Sequence, residues 1–326
     1  MKRNFANLKL DEYPLFLAPM EDVTDSTFRY ICKTIGGVDV FITEFVSSDG
    51  LVYKAKKTLE KLKIYEYERP IGIQIYGHIV DRMVEAAKIV EQANPDFIDL
   101  NFGCPVKKIV NRGAGSGMLR NVPLLIEITK KIVDTVKIPV TVKTRLGWDE
   151  NSKNIVEVAL LLNEIGIQGL TIHGRTRSQM YGGKSDWTLI GEIANNPIIK
   201  IPIIGNGDIT TPEQAKQHFE KYNVDGIMIG RGSIGRPWIF KHIKHYLKTG
   251  KLLPEPSLYE KIEIAKMHLF KAIEDKGEYK GILSMRRHYV NYFKGLENSR
   301  EWRIKLLTAK TLNENLELLN QLKKMY

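Results

Sequence analysis

Eight short runs of apolar and β-branched residues recur over roughly the first 230 positions: Leu15–Met20, Val40–Phe45, Ile71–Tyr76, Phe97–Asn101, Val140–Lys143, Leu170–His173, Pro202–Gly205 and Gly226–Ile229. Between them, Ile79–Ala93, Pro123–Val136, Ser152–Ile165 and Pro212–Lys221 place apolar residues at helical spacing. Alternating strands and helices predict a parallel sheet, and eight such units predict a (β/α)8 TIM barrel. Near-continuous apolar strands fit a sheet covered on both faces. An open doubly wound sheet is the alternative, but no Gly-x-Gly-x-x-Gly opens the first βα unit. A Pro-bearing break, Gly250-Lys-Leu-Leu-Pro-Glu-Pro-Ser257, is followed by no strand pattern. Tyr259–Glu274, Gly281–Phe293 and Ala309–Lys324 read as three helices. The expected organisation is a barrel over residues 1–245 and a small all-helical C-terminal domain over 246–326.

Composition narrows the class. An apolar fraction of 43% is that of a soluble globular protein. Two cysteines in 326 residues rule out a disulfide framework and suggest a reducing compartment. No signal-peptide core and no run near the ~18 apolar residues of a spanning helix is present, so a cytoplasmic protein without a membrane partner is expected. No metal-ligand spacing occurs. The net charge of +11 points to a polyanionic partner, nucleic acid first. It is unevenly distributed: residues 246–326 carry 16 basic and 10 acidic residues, against 33 and 28 before them.

Polar residues gather where the strands end, which in a barrel is the catalytic rim. They are Pro19, Met20 and Glu21 after strand one, Gln74 on strand three, Asn101 and Cys104 at strand four, and Lys143 and Arg145 at strand five. His173 and Arg175 close strand six, Asn206-Gly-Asp208 strand seven, and Gly230-Arg-Gly232 strand eight. Glycines at 205, 207, 230 and 232 suit close backbone approach to an anion, and the last two loops are the usual phosphate site of this fold. Arg231 would be its charge partner. Lys143 fits a Schiff-base lysine or a cation facing a cofactor ring. Gln74 carries a donor and an acceptor suited to a ring edge, and Asp99 shares the face of Asn101, packing a layer or bonding the site. Cys104, before Pro105, fits a nucleophile, a general acid or an inert thiol. Cys32 falls in an apolar helical pattern and reads as core.

These motifs together resemble the tRNA-dihydrouridine synthases. The carriers are Ala18-Pro-Met-Glu-Asp-Val-Thr-Asp25 with Phe28-Arg29, and Asn101-Phe-Gly-Cys-Pro105 with Lys107-Lys108 and Gly113-Ala-Gly-Ser116. Val140-Thr-Val-Lys-Thr-Arg-Leu-Gly147, Ile172-His-Gly-Arg-Thr-Arg177, Asn206-Gly-Asp208 and Gly230-Arg-Gly232 complete the match. Met285-Arg-Arg-His288 with Lys294-Gly295 resembles the bacterial B-type branch. The resemblance implies FMN as cofactor, NADPH as reductant and tRNA as substrate, with no protein partner required. It implies hydride transfer from reduced FMN to uracil C6, protonation of C5 by Cys104, and an oxidoreductase acting on CH–CH groups with NAD(P). Pro19, Met20, Glu21, Gln74, Lys143, His173, Asn206, Gly207, Asp208, Gly230 and Arg231 would contact the flavin, although Glu21 departs from the small residue frequent there. Asn101 would orient the uracil, with Arg145 also on the substrate side, and Arg286, Arg287 and Lys294 would contact tRNA phosphates. The rivals are a dihydroorotate-type flavin dehydrogenase, a Lys143 aldolase and a non-catalytic tRNA-binding barrel. The basic helical tail distinguishes the first and flavin absorbance the second.

Overall fold

A computed structural model describes residues 4–296 and 299–325. Nine strand segments form one parallel sheet: β1 (Leu15–Leu17), β2 (Phe41–Ile42), β3 (Val46–Ser47), β4 (Ile71–Tyr76), β5 (Phe97–Phe102), β6 (Val140–Arg145), β7 (Leu170–His173), β8 (Ile203–Asn206) and β9 (Gly226–Ile229). Both β2 and β3 pair with β4, so they occupy one barrel position interrupted at residues 43–45. The order β1-β9-β8-β7-β6-β5-β4-β2 is closed by a parallel bridge between Phe16 and Val40. This is the expected eight-position barrel, with the second strand broken.

Inward positions form layers. At the N-terminal end Phe5 plugs the barrel, edge-on to Phe16 at 4.8 Å and to Phe97 at 5.4 Å. A Cβ at Gly169 would stand 2.4 Å from the Phe5 ring, so only glycine admits the plug. Above it Gln74, Asp99 and Thr141 are adjacent in register and fully buried. The outer faces of the strands pack against helices such as Val80–Gln92, Val122–Val133 and Ile155–Ile165. Helix starts follow capping chemistry: the side chains of Asp25, Asn121 and Thr211 accept from backbone N–H groups of the first turn.

The helix Ile239–Thr249 runs through the expected boundary at 245 and packs into the barrel core through Ile239, Phe240 and Ile243. Beyond it, among the described residues, lie four helices where three were expected: Leu258–Lys276, Glu278–Tyr292, Ser299–Thr308 and Leu312–Met325. The added one, Ser299–Thr308, is short and polar; Trp302 and Leu306 carry its contact with the second core. This domain docks on the helix Ser26–Ile35. Phe28 packs on His268 and His288, Thr27 donates to Asp275 at 2.9 Å, and Lys276 pairs with Asp25. Cys32 is fully buried on that helix. Among the described residues no helix is long and apolar enough to cross a membrane.

Candidate active site

Register assembles the mouth of the barrel. Asn101 stands opposite Lys143, Arg145 opposite His173, and His173 opposite Asn206. These five side chains line a cavity of about 680 Å³ together with the loops after β1, β5, β8 and β9. Pro19, Met20, Glu21, Cys104, Gly207, Asp208, Gly230 and Arg231 all reach it. Four of the expected site residues do not line it: Gln74 is buried in the layer beneath Asn101, and Arg286, Arg287 and Lys294 are in the helical domain.

The floor is a directed chain of hydrogen bonds. Thr141 Oγ1 donates to Asp99 Oδ1 and Gln74 Nε2 to Asp99 Oδ2, each at 2.6 Å. Asn101 Nδ2 donates to Gln74 Oε1 at 2.8 Å, and Asn101 Oδ1 accepts from Gly103 N at 3.0 Å and Cys104 N at 2.9 Å. A carboxylate only accepts, so Asp99 sets which way both amides point. Gln74 therefore has both amide ends engaged inside the protein. Asn101 holds the loop that carries Cys104 and keeps one Nδ2 hydrogen for the cavity. Ser116 Oγ and N clamp the same loop through Cys104 O, at 2.9 and 3.0 Å.

Cys104 is buried, and burial raises its thiol above the ordinary value. A backbone bond from Val106 and the charges of Arg145 and Lys143 oppose the rise without overcoming it. At neutral pH it is a thiol. Arg145 donates to the carbonyls of Gly103, Thr176 and Met180 at 2.7, 3.0 and 2.8 Å, fastening the loops after β5 and β7. Burial and the neighbouring Arg145 pull Lys143 down to about 8, while Asp99 counteracts. Its Nζ reaches Asn206 Oδ1 at 3.3 Å. Burial, then Arg145 and Lys143, hold His173 well below the usual histidine range, so it is neutral. Arg175 Nη1 approaches His173 Nε2 at 3.4 Å. Guanidinium groups only donate, so Nε2 accepts and the proton sits on Nδ1.

The four glycines at the ends of the last two strands have different reasons to be glycine. A Cβ on Gly205 would lie 1.9 Å from the Trp187 ring, and one on Gly232 would lie 2.4 Å from Ile209 O. Both are packing constraints within the chain. Gly207 has φ +136°. A Cβ on Gly230 would meet nothing closer than Met20 Sδ at 3.4 Å and Ala18 Cβ at 3.5 Å, both cavity residues. Gly230 is thus the one whose missing side chain leaves ligand space. Asp208 is already paired, with Arg175 through two bonds of 3.0 and 2.7 Å and with Arg231 at 3.2 Å. Burial raises its pKa, but these bonds and charges bring it below the usual range. Arg175, which the sequence puts on the rim without assigning it a ligand, is the buried hub here; it also donates to Gly182 O and Gly183 O.

In the helical domain, Arg287 is committed to the barrel, donating to Asp22 O at 2.6 Å and Asp22 Oδ2 at 3.1 Å. Arg286 is half-buried and its Nε is unpartnered, whereas Lys294 is exposed. Sequence reasoning left Phe45 and Tyr181, which line the cavity, without a role.

The family model described as dihydrouridine synthase matches residues 16–325. A Rickettsia bellii protein named probable tRNA-dihydrouridine synthase is 40% identical over 290 residues, 89% of this chain and 88% of that protein. A Pseudomonas putida protein named tRNA-dihydrouridine synthase B is 41% identical over 290 residues, 89% of this chain and 85% of its own length. Among solved structures, the old yellow enzyme homologue of Zymomonas mobilis aligns with TM-score 0.54 at 15% identity, over 78% of this chain and 94% of that one. A 2-naphthoyl-CoA reductase complex aligns with TM-score 0.56 at 14% identity, over 75% and 51%. At such identities the likeness is one of fold alone.

Proposed function

The chain belongs to the dihydrouridine synthase family, and from that premise we propose that it reduces the C5–C6 double bond of a tRNA uridine to dihydrouridine, with FMN as cofactor and NADPH as reductant. The observation that carries this reading is a thiol, Cys104, kept protonated in a cationic cavity at the barrel mouth.

The residues present fit a flavin. A cavity of about 680 Å³ lies within the range of cofactor sites. Its lining carries Lys143, Arg145 and Arg231, while its two carboxylates are already held, Glu21 by Lys61 and Asp208 by two arginines. Lys143, neutral His173 and the Pro19–Met20–Glu21 segment would hold the ring region. Asn206, Gly207, Gly230 and Arg231 would hold the ribityl-phosphate end, with Asp208 positioning Arg231. A reduced flavin held there would supply the hydride for uracil C6. Cys104 gives the proton to C5, and the positive charges of Arg145 and Lys143 stabilise the thiolate left behind until solvent reprotonates it. The remaining Nδ2 hydrogen of Asn101 suits a uracil carbonyl. The target base must leave its stack to arrive. The basic domain at 246–326 would carry the tRNA backbone. Of its candidate contacts, Lys294 is exposed, Arg286 is half-buried with its Nε unpartnered, and Arg287 would first have to leave Asp22.

The test is direct. The purified protein is expected to be yellow, or to become so with FMN, to consume NADPH, and to convert one uridine of an unmodified tRNA transcript to dihydrouridine. A colourless protein that cannot take up flavin, or tRNA left without dihydrouridine, refutes the reading. Flavin absorbance also discriminates against the Lys143 aldolase.

A further inference from the structure

Three consecutive loops of the barrel mouth meet over one indole ring. Arg120 ends the turn Gly115–Arg120 after β5, Trp148 follows the end of β6, and Arg177 follows the end of β7. The guanidinium carbons of Arg120 and Arg177 lie 4.0 and 4.5 Å from the Trp148 ring centroid. The loops are tied together: Arg177 N donates to Gly147 O and Ser178 N to Trp148 O, both at 2.9 Å. Gly147 permits this path, since a Cβ there would stand 2.2 Å from Ser152 O.

The stack leaves two positive charges unneutralised. The two carboxylates beside Trp148 are engaged elsewhere, Asp149 with Asn151 N and Ser152 Oγ, and Glu150 with Lys153. Among the described residues neither arginine side chain makes a hydrogen bond or ion pair, and the buried Nε of Arg177 has no partner. Two cations sharing one ring repel each other, and an anion bridging them removes that repulsion. Contact with the ring fixes where each guanidinium sits, and its terminal N–H groups can make charge-assisted bonds to phosphate. The stack adjoins the cavity: Arg145, which lines it, is anchored on Thr176 O and Met180 O, on either side of Arg177.

We propose that the Arg120–Trp148–Arg177 stack is a docking site for backbone phosphates of the RNA strand that delivers the target base, an inference that rests on the tRNA reading above. The barrel rim then grips RNA itself, in addition to the helical domain.

The experiment uses the full-length, flavin-loaded enzyme and an unmodified tRNA transcript, with affinity measured across a salt series. Arg120→Ala/Arg177→Ala is expected to bind about tenfold or more weakly at low salt. Its slope of log K against log salt should be shallower by about 1.5, as for two lost phosphate contacts. Arg120→Lys/Arg177→Lys should keep most of the slope while losing affinity, because charge remains and the stacked fork does not. Reduction of the bound flavin by NADPH should be unchanged in both. Wild-type affinity and slope in the alanine variant overturn the inference, as does a defect confined to NADPH. Failure of the wild-type enzyme to bind tRNA overturns the tRNA reading as well.

Discussion

Replacing Asp99 probes whether hydrogen-bond polarity in the floor controls the reacting thiol. Asp99→Leu removes the acceptor that holds Gln74 Nε2 and Thr141 Oγ1, both in a fully buried layer. A buried donor left without a partner costs about 1–3 kcal/mol. Thr141 can rotate its hydroxyl, so a loss of about 2–3 kcal/mol is expected, a substantial part of a typical 5–15 kcal/mol stability. The second consequence is geometric. Gln74 is free to flip, which turns its Nε2 against Asn101 Nδ2. Asn101 then rotates and loses the bonds that its Oδ1 accepts from Gly103 and Cys104. A displacement near 1 Å at a reacting group can cost about 10²-fold in rate, so dihydrouridine formation should fall by about 10- to 100-fold. Asp99→Asn, by contrast, can offer Oδ1 to Gln74 and Nδ2 to Thr141 and should stay close to wild type. Burial pushes Asp99 up to about 6, with Thr141, Gln74 and Lys143 opposing the rise. A mildly acid wild-type enzyme therefore samples the same uncharged relay. Thermal melting, dihydrouridine formation and alkylation of Cys104 by iodoacetamide report on the three levels, with fully buried Cys32 as the inert control. If Asp99→Asn is as impaired as Asp99→Leu, the charge facing Lys143 matters and the polarity argument fails.

Cys104→Ala should retain flavin and bind tRNA almost as wild type, while product formation in single-turnover assays drops by about 10²-fold or more, as for a lost general acid; full activity removes the assignment. Gly230→Ala should leave apoprotein melting unchanged and weaken FMN binding by about tenfold, close to one 1.4 kcal/mol step. Gly205→Ala, whose new methyl would collide with Trp187, should instead destabilise the fold; the reverse pattern contradicts the cavity geometry. Lys143→Met should raise the melting temperature of the apoprotein at pH 7. The folded-state value is about 8 against an ordinary 10.5, so the unfolded chain binds more protons between them and wild-type stability rises with pH over that interval. The advantage of the variant should close from pH 8 to 10.5, and a constant offset would show that burial of the charge is not its source.

The barrel was legible because its strands are largely apolar runs and most of their polar residues gather where those runs end. Such a signal needs no knowledge of partners. The break between β2 and β3 was not legible, since Thr43-Glu44-Phe45 contains no Gly or Pro to mark where the chain leaves the ladder. Nor was the helix Ser299–Thr308, whose polar composition carries little amphipathic signal. The rim composition was also visible, but the work of each side chain there depends on register. Gln74, Asp99 and Asn101 lie on two adjacent strands, and the spacing on one strand says nothing about which amide end meets which neighbour.

Glycine illustrates the same limit from the other side. Four glycines at two strand ends suggest a phosphate loop, yet Gly205 and Gly232 are accounted for by Trp187 and Ile209 alone. Only the three-dimensional neighbours separate glycine required by the chain from glycine that leaves space for a ligand. The same reasoning moves weight away from Arg287. A basic residue on a basic domain looks like a phosphate contact until its ion pair with Asp22 is seen. Arg120 and Arg177, neither assigned a contact from the sequence, both lie against the Trp148 ring without an ion pair, and backbone ties between the β6 and β7 loops seat Arg177 there. For this chain, then, net charge locates a polyanion partner only coarsely. The discriminating quantity is which cations lack a counter-ion, and by that measure the proposed contact with RNA includes the barrel rim as well as the tail.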